Sequence, residues 1–397
     1  MNIQYKIGAL TVASLLLCAC GSSTTTTSVS EESHEHALII SQNNTDALSV
    51  LEVGTAESLA GTAAANGAQL LLSDSGEEVA IINTSTVQFL AAHHEEDEEE
   101  SASAEEHELP ELSSLSITGG NIKVVNSNGH FSVLVDGSTQ FVPYSVLDQA
   151  APETEDVSFT VTEIHPALML DDEHELVLAF DGANALIYEG NALEETLFAC
   201  ESVVSTAQNA EFVVVSCANT GGDVSYSVKV EEAAGEHTIT DINLNVDAQV
   251  QWLTRANVFV GMADNTFHVL EENAQEQLEA ESSFAAPTGM CTWGIDSLAA
   301  DIFALTSSEL AVYSHEGSKD AALALDESPN ASCATLTLTA ASQAVFVLDN
   351  SATKLYEIDK EEGASLYHIH GRENVSVNDV ASAVSFHEVG TITSHDH

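Results

Sequence analysis

The sequence predicts an all-β protein folded as a single β-propeller of seven or eight blades. Three observations predict this fold. Pairs of short apolar strands, each joined by a polar turn, recur along the chain and begin at near-regular intervals. One further apolar strand near the C-terminus is left without a partner of its own. Period-2 alternation of apolar residues is typical of strands, so a helical fold is nearly excluded.

Eight strand pairs can be read along the chain. Each joins an apolar run to a second, alternating run through a short polar turn. A half-buried strand alternates apolar and polar residues, whereas a strand covered on both sides is a short continuous apolar run. The eight pairs occupy residues 37–53, 69–83, 131–144, 175–188, 211–228, 257–270, 301–313 and 344–358.

The spacing of the pairs matches the repeat of a propeller. From the third pair onward, successive pairs start 36 to 46 residues apart, close to the roughly 40–45 residues of a four-stranded blade. The first interval, 32 residues, is short, and the second, 62, is about 20 residues too long for one blade. The surplus falls on a His/Glu-rich loop at 91–112, which we expect to project from one rim.

The two ends of the chain are expected to close the ring together. The first strand pair begins soon after the N-terminal tether, so its blade lacks an inner strand of its own. The apolar segment 383–389 can supply that strand. Such an overlap of N- and C-terminal strands removes exposed sheet edges.

The N-terminus resembles a bacterial lipoprotein signal. Lys6 precedes the apolar run 7–17, which is too short to span a bilayer as a mature helix. The run ends in Leu-Cys-Ala-Cys-Gly, where Cys20 follows a small residue and is the expected lipidation site. Gly21 favours sorting to the outer membrane. We therefore divide the chain into a signal peptide, 1–19, a lipid-anchored flexible tether, 20–33, and a propeller domain, 34–397.

The chain is strongly acidic. It has 8 Lys and Arg against 63 Asp and Glu, a formal net charge of −55. This charge repels nucleic acid and anionic lipid and attracts divalent cations without specificity. The same composition also suits a protein from salty water, where ions screen the repulsion. No second apolar run is long enough to span a membrane, so we expect membrane attachment by the lipid anchor only.

Four cysteines remain after the signal peptide, and they allow three pairings in an oxidising compartment. A Cys200–Cys217 bridge is favoured, because 17 residues place the two on neighbouring strands joined through one return. Cys291–Cys333 would then link sites one repeat apart. A thiolate metal site is disfavoured because the four contain no Cys-x-x-Cys pair.

The richest group of metal ligands lies in the loop at 91–112. Three histidines stand there in a run of carboxylates. Imidazole nitrogen and carboxylate oxygen both bind Zn²⁺ at roughly 2.0–2.2 Å. The alternative is a solvated acidic loop without a ligand. The candidate ligands are His93, His94, Asp97, His107 and Glu108.

Further histidines lie outside this loop. His-x-His pairs, which aim both rings to one side of an extended strand, occur at His34 and His36, at 368–370 and at 395–397. Each pair needs a third ligand from elsewhere. His165 comes just before a repeat strand, where propeller loops gather around the central channel. Alone, it equally suits a hydrogen-bonded structural residue.

Enzyme motifs are missing from the sequence. It contains no Gly-x-Ser-x-Gly, no His-Glu-x-x-His and no phosphate-binding glycine loop. So few Lys and Arg cannot build a large site for anions. We therefore expect a protein that is not an enzyme, although propeller enzymes do assemble sites from dispersed loops.

The order of these features resembles that of the periplasmic zinc metallochaperones of Azt-type zinc ABC transporter systems. The matching order is an early double hairpin, the His-rich loop, the segment 127–137, the turn at His165, and two cysteines flanking a strand. The resemblance implies a propeller that holds Zn²⁺ and passes it to the transporter's zinc-binding protein. It assigns the zinc to His93, His94, His107 and His165, with Asp97 or Glu108 as an oxygen ligand. It makes His34 and His36 part of a mobile His-rich segment.

Three functions follow from the sequence. The favoured one is a zinc-binding chaperone or buffer, monomeric, in the periplasm and lipid-anchored to the membrane. The second is a propeller scaffold for protein assembly or adhesion at the outer membrane, in which the acids only solubilise. The third is a propeller enzyme such as a dehydrogenase or lactonase.

Overall fold

A computed structural model describes the part of the chain that forms the propeller. The described strands all belong to one compact unit, Glu35–His397. The described ranges are 36–52, 55–59, 66–91, 110–156, 162–172, 174–233, 236–255, 258–295, 301–340, 344–360, 367–374 and 379–387.

The first half of the described chain supplies blades 1 to 4. Blade 1 contains β1 (His36–Gln42), β2 (Leu48–Glu52) and β3 (Thr55–Leu59), and blade 2 contains β4 (Gln69–Leu72), β5 (Glu78–Ile82), β6 (Thr86–Ala91) and β7 (Glu111–Thr118). Blade 3 contains β8 (Lys123–Ser127), β9 (His130–Val135), β10 (Ser138–Pro143) and β11 (Glu155–Asp156), with one turn of 3₁₀ helix at Tyr144–Val146. Blade 4 contains β12 (Leu168–Asp171), β13 (Leu176–Phe180), β14 (Asn184–Glu189) and β15 (Ala192–Ala199).

The second half supplies blades 5 to 8 and the strand that closes the ring. Blade 5 contains β16 (Ser202–Gln208), β17 (Phe212–Ala218), β18 (Val224–Ala233) and β19 (Glu236–Asn243), and blade 6 contains β20 (Gln251–Arg255), β21 (Val258–Ala263), β22 (Thr266–Glu272) and β23 (Leu278–Ala285). Blade 7 contains β24 (Met290–Ile295), β25 (Ile302–Thr306), β26 (Glu309–Tyr313) and β27 (Lys319–Ala324). Blade 8 contains β28 (Leu336–Ala340), β29 (Ala344–Asp349), β30 (Lys354–Lys360) and β31 (Tyr367–Asn374), and β32 (Val380–His387) follows.

The fold is therefore an all-β propeller of eight four-stranded blades, as the sequence predicts. β32 pairs antiparallel with β1 and becomes the first strand of blade 1. The predicted closure by overlapping terminal strands is confirmed. Because the last strand completes the first blade, each of the eight described blades has four strands.

Burial explains the two kinds of apolar pattern. The second strand of each blade lies between neighbouring blades, so it is apolar along its length. Every residue of β13 is buried, and so is every residue of β25. Fourth strands face solvent on one side and read as alternating or polar, as in β15 and β27. Continuous apolar runs therefore mark strands covered on both sides.

The strand pair predicted in blade 2 occupies a different position in its blade from the other seven pairs. Seven of the predicted pairs are the second and third strands of a blade, but the pair at 69–83 is the first and second, β4 and β5. The strand equivalent to β1 and β9 is β5, which starts at Glu78. The error arises because β4 has the same apolar run as a second strand. Counted from equivalent strands, the short first interval disappears, and the surplus before β9 shrinks to about 10 residues.

Strand direction divides the turns of the propeller between two faces. We call face 1 the face with the turns between first and second strands and between third and fourth strands. Face 2 has the turns between second and third strands and the connections between blades. Neighbouring blades share this orientation: the Asn126 amide, at the end of β8, donates to the Leu72 carbonyl, at the end of β4, over 2.7 Å.

Two disulfides lie on face 2. Cys200 directly precedes β16 and bridges to Cys217 on the adjacent β17, with 5.2 Å between their Cα atoms. Cys291 on β24 bridges to Cys333, which precedes β28 one repeat later. Both predicted pairings are confirmed. Among the residues described, no helix is long and apolar enough to cross a membrane.

Candidate metal centre on face 1

A group of metal ligands lies on face 1 where blades 4 and 5 meet. It consists of Asp171, His174 and His237, each of which offers one ligand atom within 4.8 Å of the other two. We call it the Asp-His-His cluster. Asp171 and His174 come from the end of β12 and the turn that follows it, and His237 comes from the start of β19.

The turn between β12 and β13 positions two of the three ligands. β12 ends with a register shift between Met169 and Asp171. Asp171 Oδ1 then accepts the backbone N–H of His174 over 3.3 Å, a local bond typical of Asp in turns. Glu175 closes the turn with a φ of 49°. The turn therefore brings the Asp171 carboxylate and the His174 ring to the same side.

His237 reaches the cluster from the neighbouring blade. It lies near the start of β19, two residues before Ile239, so both side chains point to the same side of that strand. Ile239 packs against the apolar cluster that blades 4 and 5 share. The same alternation therefore directs the His237 ring toward blade 4. The centroids of the His174 and His237 rings are 4.5 Å apart, with an interplanar angle of 74°.

His237 has unused hydrogen-bonding capacity. Its Nδ1 atom is 3.9 Å from Asp171 Oδ2, beyond hydrogen-bond distance, whereas His174 Nδ1 is 3.1 Å from that oxygen. Both ring nitrogens of His237 are buried and have no hydrogen-bond partner in the described part of the chain. An unpaired buried polar group costs roughly 1–3 kcal/mol. A cation bound between these residues would offset that cost.

The carboxylate of the cluster is held in its ionised form. Burial acts to raise the pKa of Asp171. The hydrogen bonds from His174 and the charges of His174 and His237 outweigh burial and lower the pKa below its usual value. Asp171 is therefore available as an oxygen ligand at neutral pH.

The donor set fits zinc. Two imidazoles and one carboxylate are three ligands of a tetrahedral zinc site, and the fourth position stays open. The side chains of Asp171 and His174 are 21% and 34% exposed, whereas that of His237 is 12% exposed. His237 is the least exposed of the three, and a metal bound here would remain accessible from solvent on the side of Asp171 and His174. Such a site permits ligand exchange.

A second histidine–carboxylate contact adjoins the cluster. His130, at the start of β9, is 5% exposed, and its Nε2 atom is 3.9 Å from Oδ1 of Asp172. Its Nδ1 atom lies 2.8 Å from the Asn128 carbonyl oxygen. If Nδ1 carries the proton, this bond leaves Nε2 as the nitrogen that faces Asp172. The histidines and acids of face 1 thus continue from blade 5 through blade 4 to blade 3.

Most of the ligands predicted from the sequence lie outside the described residues. The structure does give the ends of the His/Glu-rich loop, which leaves β6 at Ala91 and enters β7 at Glu111, both on face 1. It also gives the backbone of His36, at the start of β1 on the same face. The predicted residues outside the described ranges are Cys20, His34, His93, His94, Asp97, His107 and Glu108.

His165 lies on the opposite face. It stands in the connection between blades 3 and 4, is 8% exposed, and its Nδ1 atom is 2.9 Å from the Pro166 carbonyl oxygen. Burial lowers the pKa of His165 to about 4, so the ring is neutral. Its ring packs edge-on against Phe180. The described residues therefore do not bring His165 to the loop on face 1, and we leave it out of the ligand set proposed below.

The Asp-His-His cluster escaped the sequence analysis. Asp171 and His174 stand in the run Asp-Asp-Glu-His-Glu. This run is a shorter version of the His/Glu-rich loop and, by the same reasoning, indicates a candidate metal site. His237 had no such signal, because its contact with Asp171 joins different blades. Only the packing of neighbouring blades brings residues so distant in sequence together.

The fold and the cluster define a class: an eight-bladed β-propeller with metal ligands gathered on one face. Two crystal structures of AztD from Citrobacter koseri are similar to this chain, one of them the apo form. They match with TM-scores of 0.65 and 0.66 at 14% identity, over 88% and 90% of this chain and 98% and 99% of theirs. At this identity the likeness establishes the shared fold. No protein-family model and no curated protein sequence matches the chain.

Proposed function

We propose that this protein is a zinc-binding chaperone of the cell envelope that holds Zn²⁺ in exchangeable form and passes it to a zinc-uptake binding protein. The Asp-His-His cluster carries the proposal, because it combines a zinc-type donor set with a half-buried histidine whose ring nitrogens have no hydrogen-bond partner among the described residues. The propeller shared with AztD agrees with the resemblance found in the sequence.

The His/Glu-rich loop has a separate role in this proposal. It joins blade 2 on the same face as the cluster. We assign capture of zinc from solution to His93, His94 and His107, with Asp97 and Glu108 as oxygen ligands. His36 begins β1 on this face, and His34 belongs with it to the proposed His-rich segment. The net charge of −55 raises the local concentration of divalent cations around all of them.

The location of the protein is part of the proposal. The signal peptide at 1–19 and lipidation at Cys20 would export the chain and tether it to the outer membrane. Export agrees with the two disulfides, which form in oxidising compartments. The partner would be the zinc-binding protein of an ABC transporter, and the propeller would act as a monomer.

Zinc titration of the mature chain tests this function. Competition with a chelator of known affinity should show one tight phase that is lost in His237→Asn. A second, weaker phase should be lost when His93, His94 and His107 are all changed to Ala. Both phases should weaken as pH falls below about 6.5, where ordinary imidazoles take up protons.

Transfer needs its own measurement. Zinc-loaded protein is mixed with the purified metal-free binding protein of a zinc transporter, in the presence of excess chelator. Direct transfer predicts that the binding protein fills despite the chelator. If the chelator takes all of the zinc, the protein is a zinc buffer and the chaperone role is wrong.

A further inference from the structure

A second group of metal ligands lies on face 1, at the junction of blades 6 and 7. Glu271 on β22, Glu281 on β23 and His315 in the turn after β26 each offer a ligand atom within 4.8 Å of the other two. His315 Nε2 is 3.6 Å from Glu271 Oε1. As in the Asp-His-His cluster, two ligands come from one blade and a histidine comes from the next.

A bulge and a pinned turn hold these side chains in place. The register of β22 and β23 shifts between Val269 and Leu270, which leaves Glu281 as the extra residue of β23. A bulge of this kind re-aims the side chain of the extra residue. The neighbouring Ser282 hydroxyl donates to the His315 carbonyl oxygen over 2.6 Å. This bond fixes the turn of blade 7 against the bulged strand.

The two carboxylates face each other without a basic partner. One oxygen of each carboxylate and a ring nitrogen of His315 all lie within 4.8 Å of one another. Among the described residues, no Lys or Arg pairs with either carboxylate, and His315 is the group that does. Two carboxylates and an imidazole held together in this way match a divalent cation in charge and in donor atoms.

We propose that Glu271, Glu281 and His315 form a second divalent-cation site, distinct from the Asp-His-His cluster and less selective for zinc. The donor set decides the selectivity. Imidazole-rich sites suit Zn²⁺, whereas carboxylates suit Mn²⁺ and other hard cations. With two oxygens and one nitrogen, this site accepts Mn²⁺ as well as Zn²⁺. The bound ion would join blade 6 to blade 7 across face 1.

Paramagnetic Mn²⁺ tests the site, because it broadens NMR signals of nearby nuclei. The mature chain is labelled with ¹³C at histidine Cε1, and the His315 signal is assigned by its loss in His315→Asn. We expect Mn²⁺ to broaden His315 at substoichiometric amounts while His165, on face 2, stays sharp. Glu281→Gln should raise the Mn²⁺ concentration needed by at least about tenfold. Glu309→Gln, which removes an acid paired with Lys319, should leave it unchanged.

Two outcomes would overturn the proposal. If Glu281→Gln behaves as the parent, the carboxylates do not bind the ion. If His315 broadens only together with every other face 1 histidine, Mn²⁺ is merely held by the acidic surface. The zinc function is read separately, from the signals of His174 and His237 on addition of Zn²⁺. Either site can therefore fail without the other.

Discussion

The two faces of the propeller carry opposite kinds of chemistry. Face 1 gathers histidines and carboxylates from successive blades, including a half-buried imidazole that has no hydrogen-bond partner among the residues described. Face 2 carries both disulfides and the buried pair Glu163 and His165, each held by a backbone contact. The candidate metal ligands therefore lie on one face, and the covalent cross-links lie on the other.

His165 and His237 show what separates a ligand from a structural histidine. Both rings are largely buried. The Nδ1 atom of His165 is hydrogen-bonded to the Pro166 carbonyl. The ring nitrogens of His237 have no hydrogen-bond partner among the described residues, and they lie beside a second imidazole and a carboxylate. Burial alone therefore does not identify a metal ligand. A histidine becomes a candidate metal ligand when its ring nitrogens lack hydrogen-bond partners and lie beside other ligand atoms.

The largest expected effect is on zinc affinity. Replacing Asp171, His174 and His237 together by Asn should weaken tight zinc binding by at least about 1,000-fold, or roughly 4 kcal/mol, because three ligands are lost. His165→Asn on face 2 is the matched control and should leave affinity within about twofold. Isothermal titration measures both. Equal losses in the two variants would remove the distinction between the faces.

A disulfide of face 2 should matter for stability and not for zinc. Changing Cys200 and Cys217 together to Ala opens a bridge whose ends are 17 residues apart. The free energy of unfolding should fall by about 3 kcal/mol, since the unfolded chain regains the entropy of an open loop. Denaturant melts measure this loss, and zinc titration of the folded variant should match the parent. A variant as stable as the parent would show that this bridge does not hold face 2 together.

Glu163 should make stability depend on pH. Burial raises the pKa of Glu163 to about 7, although its bonds to Thr139 act to lower it. In the unfolded chain this carboxyl loses its proton at lower pH than in the folded protein. The contribution of Glu163 to the free energy of unfolding is therefore largest below about pH 4.5 and falls as pH rises to about 7. Glu163→Gln should remove this fall and stabilise the protein at pH 8 by about 2 kcal/mol. Thermal melts of parent and variant between pH 4.5 and 8 measure it; parallel curves would mean that Glu163 ionises freely.

The fold could be predicted from sequence because its units are local. Each hairpin can be recognised in the sequence from two apolar runs and the turn between them. The C-terminal strand without a partner of its own predicts the ring closure that β32 and β1 make. The error in blade 2 is also local in origin. The sequence Gln69–Leu72 is as apolar as a second strand, and pattern alone does not distinguish a strand that lines the channel from one between blades.

The candidate site could be predicted only in part. The run that contains Asp171 and His174 is visible in the sequence, but His237 joins it through packing between blades 4 and 5. In the same way, Glu281 becomes a candidate ligand because a bulge re-aims its side chain, and the sequence pattern does not predict that bulge. Sequence patterns predict which strands form; the meeting of side chains on different blades depends on how the blades pack.

Anomalous diffraction at the zinc edge, from crystals of the zinc-loaded mature chain, shows where the metal binds. We expect a peak bounded by the Asp171 carboxylate and the rings of His174 and His237, about 2 Å from each ligand atom, and no peak beside His165. Zinc peaks on face 1 or elsewhere that leave the Asp-His-His cluster empty at full loading would contradict this expectation.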